Sequence, residues 1–297
     1  MIRLVIVWGL FAFVFGKALN LDGTDGSNNE LLLSLNKQLL RSLETQEGLP
    51  NPSIHLGLRL SNYHNHVKED EQLTKLKNDL HNEIQSSLRS NQHVTGLLAL
   101  YSLALKSSCY DLNTVSFRVA EKPETLLAHL KKAMEQEKEH VAFSHRPLTN
   151  YYQYSLGVLA LCVNSIRVNN HVTHKLIKAA EHENFKHGDV ESIDTYAVAG
   201  MALQCVKDSG SYTHNAAEID LALSKIKQKL LASRRTDGHM GNEFSTGLAV
   251  QALIAMGSEE SEYSISMEAM RTAAGITFTI IPWPYHRLYL PSRSNPT

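Results

Sequence analysis

Four stretches of the chain are apolar almost all the way round a helix and are built largely from small residues. They are Gly96-Leu-Leu-Ala-Leu-Tyr-Ser-Leu-Ala-Leu105, Gly157-Val-Leu-Ala-Leu-Cys162, Ala197-Val-Ala-Gly-Met-Ala-Leu-Gln-Cys205 and Gly247-Leu-Ala-Val-Gln-Ala-Leu253. A helix with no polar face must be buried on all sides, and glycine and alanine let its neighbours approach closely. The marker glycines Gly96, Gly157, Gly200 and Gly247 are 61, 43 and 47 residues apart. Between these stretches lie amphipathic segments with apolar residues at three- and four-residue spacing: Leu31–Leu43, Leu73–Leu88, Leu126–Ala142, His171–Glu183 and Ile219–Leu231. Asn28 or Asn29 is placed to cap the first of them. An outer amphipathic helix followed by an inner small-residue helix, repeated at this period, describes a helical array. Left open, the array is a solenoid. Closed, it is an α/α toroid whose inner helices line a central funnel and whose rim loops make the site. Five or six helix pairs fit the chain, which suits closure. No period-two strand is visible before residue 275.

The ends differ from this body. Arg3 and the apolar run Leu4–Phe15, followed by Gly16-Lys-Ala18, have the form of a secretory signal. The run is too short to span a bilayer. The expectation is a signal peptide over residues 1–18, a toroid domain over 19–275 and an irregular tail over 276–297. The mature chain is then secreted, extracellular and monomeric, and does not act at a membrane. The tail holds Pro282, Pro284, Pro291 and Pro296, and its start, Ile276–Ile281, reads as a short strand. The formal net charge of −1 argues against a nucleic-acid partner. Both Asn-x-Ser/Thr triplets, at Asn51 and Asn295, carry a blocking proline. Cys162 and Cys205 end neighbouring inner helices at the same phase of the repeat. Either they form a staple between adjacent pairs or they are two buried thiols, and an export signal favours the staple. Cys109 is left without a partner.

Polar clusters precede the inner helices: Thr149-Asn-Tyr-Tyr-Gln153, Asp189–Thr195 and Gly238-His-Met-Gly-Asn-Glu-Phe-Ser-Thr246. Asp194, Thr195, Ser245 and Thr246 would serve as N-caps. Capping does not account for Tyr151, Tyr152 and Tyr154 together, nor for Asn242 beside Ser245. Uncharged hydrogen-bonding groups among aromatics suit a large, neutral, amide-rich ligand. No nucleophile elbow, phosphate loop or His-Glu-x-x-His is present. The histidine pairs His171/His174 and His182/His187 have no third ligand nearby in sequence. A toroid glycosidase would need two carboxylates across a cleft, and Asp194 and Glu243 are the rim candidates. A toroid enzyme acting on a glycan or an isoprenoid is therefore the alternative to a binding protein.

Five segments, in order over residues 30–257, resemble the cobalamin (vitamin B12) carrier family of transcobalamin, intrinsic factor and haptocorrin. They are Pro50-Asn-Pro-Ser-Ile-His-Leu-Gly-Leu-Arg-Leu-Ser61, Ala99–Cys109, Tyr151-Tyr-Gln-Tyr-Ser-Leu-Gly-Val-Leu-Ala-Leu-Cys162, Ile193-Asp-Thr-Tyr-Ala-Val-Ala-Gly200 and Gly238–Gly247. The Tyr-Tyr-Gln-Tyr run is nearest the transcobalamin branch. The resemblance implies an all-α domain, an α6/α6 toroid that carries cobalamin at its rim with no catalytic activity and is recognised by a cell-surface uptake receptor. It implies that Thr149, Tyr152, Gln153, Asp194, Asn242 and Ser245 hydrogen-bond the corrin amides. It also implies a Cys162–Cys205 disulfide, with the partner of Cys109 lying beyond the matching region. Three departures stand out. Leu97 replaces a family glutamine. The axial histidine of transcobalamin falls near Val190, with His187 three residues earlier as the candidate cobalt ligand. The chain is expected to lack the family's β-rich C-terminal domain. A family member that has lost binding and keeps only an interaction role is a further alternative.

Overall fold

The computed structural model describes residues 26–44, 50–61, 63–89, 93–119, 122–212, 214 and 216–280. The signal-peptide reading of residues 1–18 and the proline-rich segment 281–297 lie outside the described residues.

The described chain is all-α apart from two small hairpins, and outer and inner helices alternate as the repeat requires. The outer helices are α1 (Gly26–Glu44), α3 (His66–Arg89), α5 (Leu126–Ser144), α7 (Asn170–Glu181), α9 (Ala216–Ala232) and α11 (Glu260–Ile280). The inner helices are α2 (Pro52–Leu60), α4 (Thr95–Ser107), α6 (Tyr151–Val163), α8 (Ile193–Asp208) and α10 (Glu243–Ala255). Inner helices pack in chain order, α2 on α4, α4 on α6, α6 on α8 and α8 on α10. Each outer helix buries one stripe against them, such as Leu76, Leu80 and Ile84 of α3 or Val172, Leu176 and Ile177 of α7. Inner helices are buried nearly all round, as in the run Ser245–Leu253 of α10. The role expected for the marker glycines is met at close quarters. A Cβ at Gly157 would lie 2.3 Å from Met134 Sδ on α5, and one at Gly200 would lie 3.1 Å from both Ile226 and Met256.

Several expectations need correction. Helix α1 begins at Gly26, so Asn28 and Asn29 lie within its first turn rather than capping it. Two antiparallel hairpins occur before residue 275. Strand β1 (Ser116–Val119) pairs with β2 (Lys122–Thr125), and β3 (Lys186–His187) with β4 (Val190–Glu191). Runs of two to four residues are too short to show a period of two. Residues Ile276–Ile280 are helical, not a strand, because α11 continues through them. The preceding Met267-Glu-Ala-Met-Arg-Thr-Ala-Ala274 run is rich in helix formers. Each β-branched residue costs only a few tenths of a kcal/mol in a helix already propagating, and the first proline, Pro282, comes later.

Cys162 in the last turn of α6 and Cys205 on α8 are bonded, with Cα atoms 6.2 Å apart and a sequence separation of 43, while Cys109 is an exposed free thiol. A loop of that length implies that the bond contributes about 4 kcal/mol on the chain-entropy view. We expect Cys162→Ser/Cys205→Ser to lower the unfolding free energy by that order in guanidinium titration. We expect the native chain to react with one equivalent of a thiol reagent, at Cys109.

His55 on α2 is fully buried, and its Nε2 lies 2.7 Å from Ser108 Oγ. Burial, aided by the nearby Arg59 charge, pushes its pKa from 6.5 down to about 4. Protonation is thus accepted by the unfolded chain below about pH 6.5 and refused by the fold until about pH 4. Stability is fully present above pH 6.5 and falls as the pH drops through that window, by roughly 3 kcal/mol in total. Unfolding titrations of the parent chain and of His55→Gln should diverge across that interval, with the flatter curve belonging to the variant.

Candidate functional site

The first turns of α4, α6, α8 and α10 adjoin one another along a single rim. Four contacts fix this. Gln153 Oε1 accepts from the Gly96 amide at 3.2 Å, joining α6 to α4. Tyr151 of α6 packs edge-on to Phe185 with ring centroids 5.6 Å apart. The Phe185 carbonyl accepts from the Ser192 amide at 2.8 Å at the head of α8. Gly241, with φ +71°, lies so close to Ile193 of α8 that a Cβ there would sit 2.8 Å from Ile193 Cγ1. Only glycine meets both that conformation and that spacing without strain.

Helix starts leave backbone N–H groups without partners inside the helix. Asn150 caps α6, its side chain accepting from the Gln153 amide at 2.9 Å. Ser192 caps α8, accepting from the Thr195 amide at 3.3 Å. Asn242 caps α10, its Oδ1 accepting from the Phe244 and Ser245 amides at 2.8 and 2.9 Å. The caps expected at Asp194, Thr195, Ser245 and Thr246 therefore belong to Ser192 and Asn242. Those four residues lie two to four positions further on, where a side-chain oxygen no longer faces the open N–H groups. The cap position of α4 is Val94, which supplies no side-chain acceptor, and Gln153 of the next inner helix fills that role.

These contacts decide which atom of each side chain remains for a ligand. An amide oxygen must face an N–H donor, so Gln153 and Asn242 keep their NH2 groups as donors. Asp194 lies in the first turn of α8, where the positive end of the helix dipole favours a carboxylate. Its Oδ1 is buried and accepts no hydrogen bond within the protein. Thr149 donates its hydroxyl to Glu137 Oε1 at 2.7 Å, so its oxygen retains lone pairs. Ser245 is buried and Tyr152 half-buried in the first turns of their helices. The rim thus offers two amide donors and two acceptors, which matches primary carboxamides.

The tyrosines do not act as one group. Tyr154 is fully buried, its hydroxyl donating to the Val172 carbonyl at 2.8 Å, and burial raises its pKa well above 10. It is a core residue: it lies on the same face as Tyr151 but one turn further into α6, packed edge-on to that ring with centroids 6.2 Å apart. The backbone of His187 lies in the β3–β4 hairpin directly before α8, paired with Val190 across the Gly188-Asp189 turn; its side chain lies outside the described residues. Among the described residues no cluster of three or more His, Cys, Asp or Glu side chains forms a metal-binding group. None of their helices is long and apolar enough to cross a membrane.

Sequence reasoning missed Glu137, which is 1 % exposed. A signal was present. Leu126, Leu130, Met134 and Val141 form the buried stripe of α5, and Glu137 occupies the position between the last two.

Comparison with known proteins bears on this site. Residues 3–277 match the family described as eukaryotic cobalamin-binding protein. Transcobalamin-2 of Bos taurus is 37 % identical over 263 residues, 84 % of this chain and 58 % of the relative. Transcobalamin-2 of Homo sapiens is 35 % identical over 232 residues, 75 % of this chain and 52 % of the relative. The chain thus spans little more than half the length of these relatives. A crystal structure of haptocorrin in complex with Cbi (cobinamide) superposes with a TM-score of 0.63 at 25 % identity, covering 82 % of this chain and 62 % of that one.

The cap that Gln153 lends to α4 separates two roles of one side chain. Gln153→Ala leaves the Gly96 amide without its acceptor and should lower the unfolding free energy by about 1 kcal/mol. Gln153→Glu keeps an acceptor oxygen there and should retain parental stability while removing the outward NH2. Denaturant titration of the two variants checks this.

Proposed function

The chain belongs to the eukaryotic cobalamin-binding protein family, and from that premise we propose that it is a secreted cobalamin carrier. On this reading its alternating helices close into an α6/α6 toroid over residues 19–275, and the corrin lies across the rim formed by the starts of α4, α6, α8 and α10. The observation that carries the proposal is the buried Asp194 Oδ1 without a donor, set between amide groups whose oxygens are committed to helix caps. A buried acceptor with no partner is unfavourable by itself, and the carboxamides that border a corrin carry the N–H groups it lacks. Thr149 and Asp194 accept from those amides. Gln153, Asn242, Tyr152 and Ser245 contribute the remaining polar contacts. No catalytic step is assigned to these groups. Export is supported by the form of residues 1–18 and by the Cys162–Cys205 disulfide, which suits an oxidising compartment. Its partners are cobalamin and a cell-surface uptake receptor, and the carrier acts as a monomer.

The test is direct. The purified chain, dialysed against cyanocobalamin, should retain the red ligand in stoichiometric amount. Asp194→Ala removes a charged acceptor, an interaction that contributes about 1.5–3 kcal/mol, and should weaken binding about 10- to 100-fold in equilibrium dialysis. His187→Ala should weaken it less. A larger loss at His187 would instead assign cobalt coordination to the hairpin.

A further inference from the structure

Glu137 lies midway along α5 in the seam between that outer helix and the inner helices α4 and α6. It is 1 % exposed, yet its two oxygens meet only neutral donors. Thr95 Oγ1 donates to Oε1 at 2.9 Å, Thr149 Oγ1 donates to Oε1 at 2.7 Å, and the Thr149 amide donates to Oε2 at 3.2 Å. Among the described residues no cation pairs with it. Burying a carboxylate without a counter-ion is costly, and an apolar residue of similar size would hold the seam at no such cost. The nearby starts of α4 and α6 carry partial positive charge that offsets part of the cost. They do not explain why the carboxylate is there.

What the carboxylate does is geometric. Thr95 is the first residue of α4, and Thr149 directly precedes Asn150, the cap of α6. One side chain on α5 therefore ties together the two helix starts that Gln153 also bridges. We propose that Glu137 is the positioning residue of the rim. It holds Thr149 with the hydroxyl hydrogen turned inward, so that the oxygen presents only lone pairs to a ligand. Thr149 is thereby fixed as an acceptor for a carboxamide N–H and discriminates against a ligand group that can only accept, such as a carboxylate. This inference rests on the cobalamin reading above, and adds to it the residue that sets the polarity of one contact.

The experiment follows release of cyanocobalamin from the full chain by stopped flow. Thr149→Ser keeps the hydroxyl and its bond to Glu137, and serves as the conservative comparison that should release more slowly than Thr149→Val. Thr149→Val keeps the shape and loses the acceptor, and Glu137→Gln places an amide nitrogen against at least one of the three donors. Each should release about 10- to 100-fold faster. In the double variant the losses should not add, because both changes remove the same acceptor. Additive losses would mean that Glu137 acts only on the scaffold, and would overturn the proposal. So would a Thr149→Val chain that releases like Thr149→Ser, a comparison that stands even where Glu137→Gln does not fold. A parent chain that binds no cyanocobalamin overturns the cobalamin reading and this inference together. A parent that binds, with Thr149→Val releasing at its rate, overturns this inference alone.

Discussion

Every inner helix begins with backbone N–H groups that the helix itself cannot satisfy, and four such starts lie side by side. How those donors are met governs the chemistry of the rim. Asn150, Ser192 and Asn242 meet them from within their own helix. Val94 offers α4 no acceptor, so Gln153 reaches across to the Gly96 amide. A side-chain oxygen committed to a cap is no longer presented to a ligand, whereas the NH2 on the same amide is. The donor character of Gln153 and Asn242 is therefore a consequence of helix capping. The acceptor character of Thr149 follows in the same way from its bond to Glu137.

Capping across helices works only because the inner helices stand close together. A Cβ on Gly96 would lie 2.7 Å from Gln153 Oε1, so any larger residue there would push the glutamine off the amide it caps. The staple between Cys162 and Cys205 holds α6 to α8 nearer the other end of these helices. About eleven residues separate Tyr151 from Cys162, or roughly 16 Å of helix at 1.5 Å per residue. The pair α6 and α8 is thus joined covalently toward one end, and toward the other by hydrogen bonds and ring contacts.

The repeat was legible because small-residue helices differ so clearly from the amphipathic ones around them, and the all-α class followed from it. The Cys162–Cys205 pair was legible because both cysteines stand at one phase of the repeat. The hairpin at Lys186–Glu191 was not, since strands of two residues carry no periodicity, and their backbone pairing depends on the Gly188 turn. Ile276–Ile280 misled because β-branched residues favour strands in isolation, while here an established helix runs into them. Tyr154 was grouped with Tyr151 and Tyr152 by proximity in sequence, yet it sits one turn deeper than Tyr151 on the same helix face, where the core closes over it. Glu137 was hidden in a run of charged residues, Glu135-Gln-Glu-Lys-Glu139. Its place in the apolar stripe distinguished it from the other glutamates. For the rim residues, sequence located the helix starts they occupy. Which atom each presents depended on neighbours from other repeats, and those are visible only once the helices are packed.

Asp194 links this arrangement to stability. An acceptor buried without a donor raises the free energy of the fold by about 1–3 kcal/mol, and the α8 dipole offsets part of that. A ligand that brings an N–H to Asp194 removes the penalty as it binds, so binding and rim stability are coupled by mass action. The coupling is local. Residues such as Leu98, Leu161, Leu203 and Leu253 pack in one continuous hydrophobic core and carry no polar side-chain atom for a ligand to satisfy. Asp194 Oδ1 is one of several buried polar atoms without a partner in the fold, others being His55 Nδ1 on α2 and Gln251 Oε1 on α10, but it is the carboxylate oxygen in the first turn of α8, at the rim. A ligand that donates to Asp194 would therefore gain affinity by relieving a cost the fold already carries.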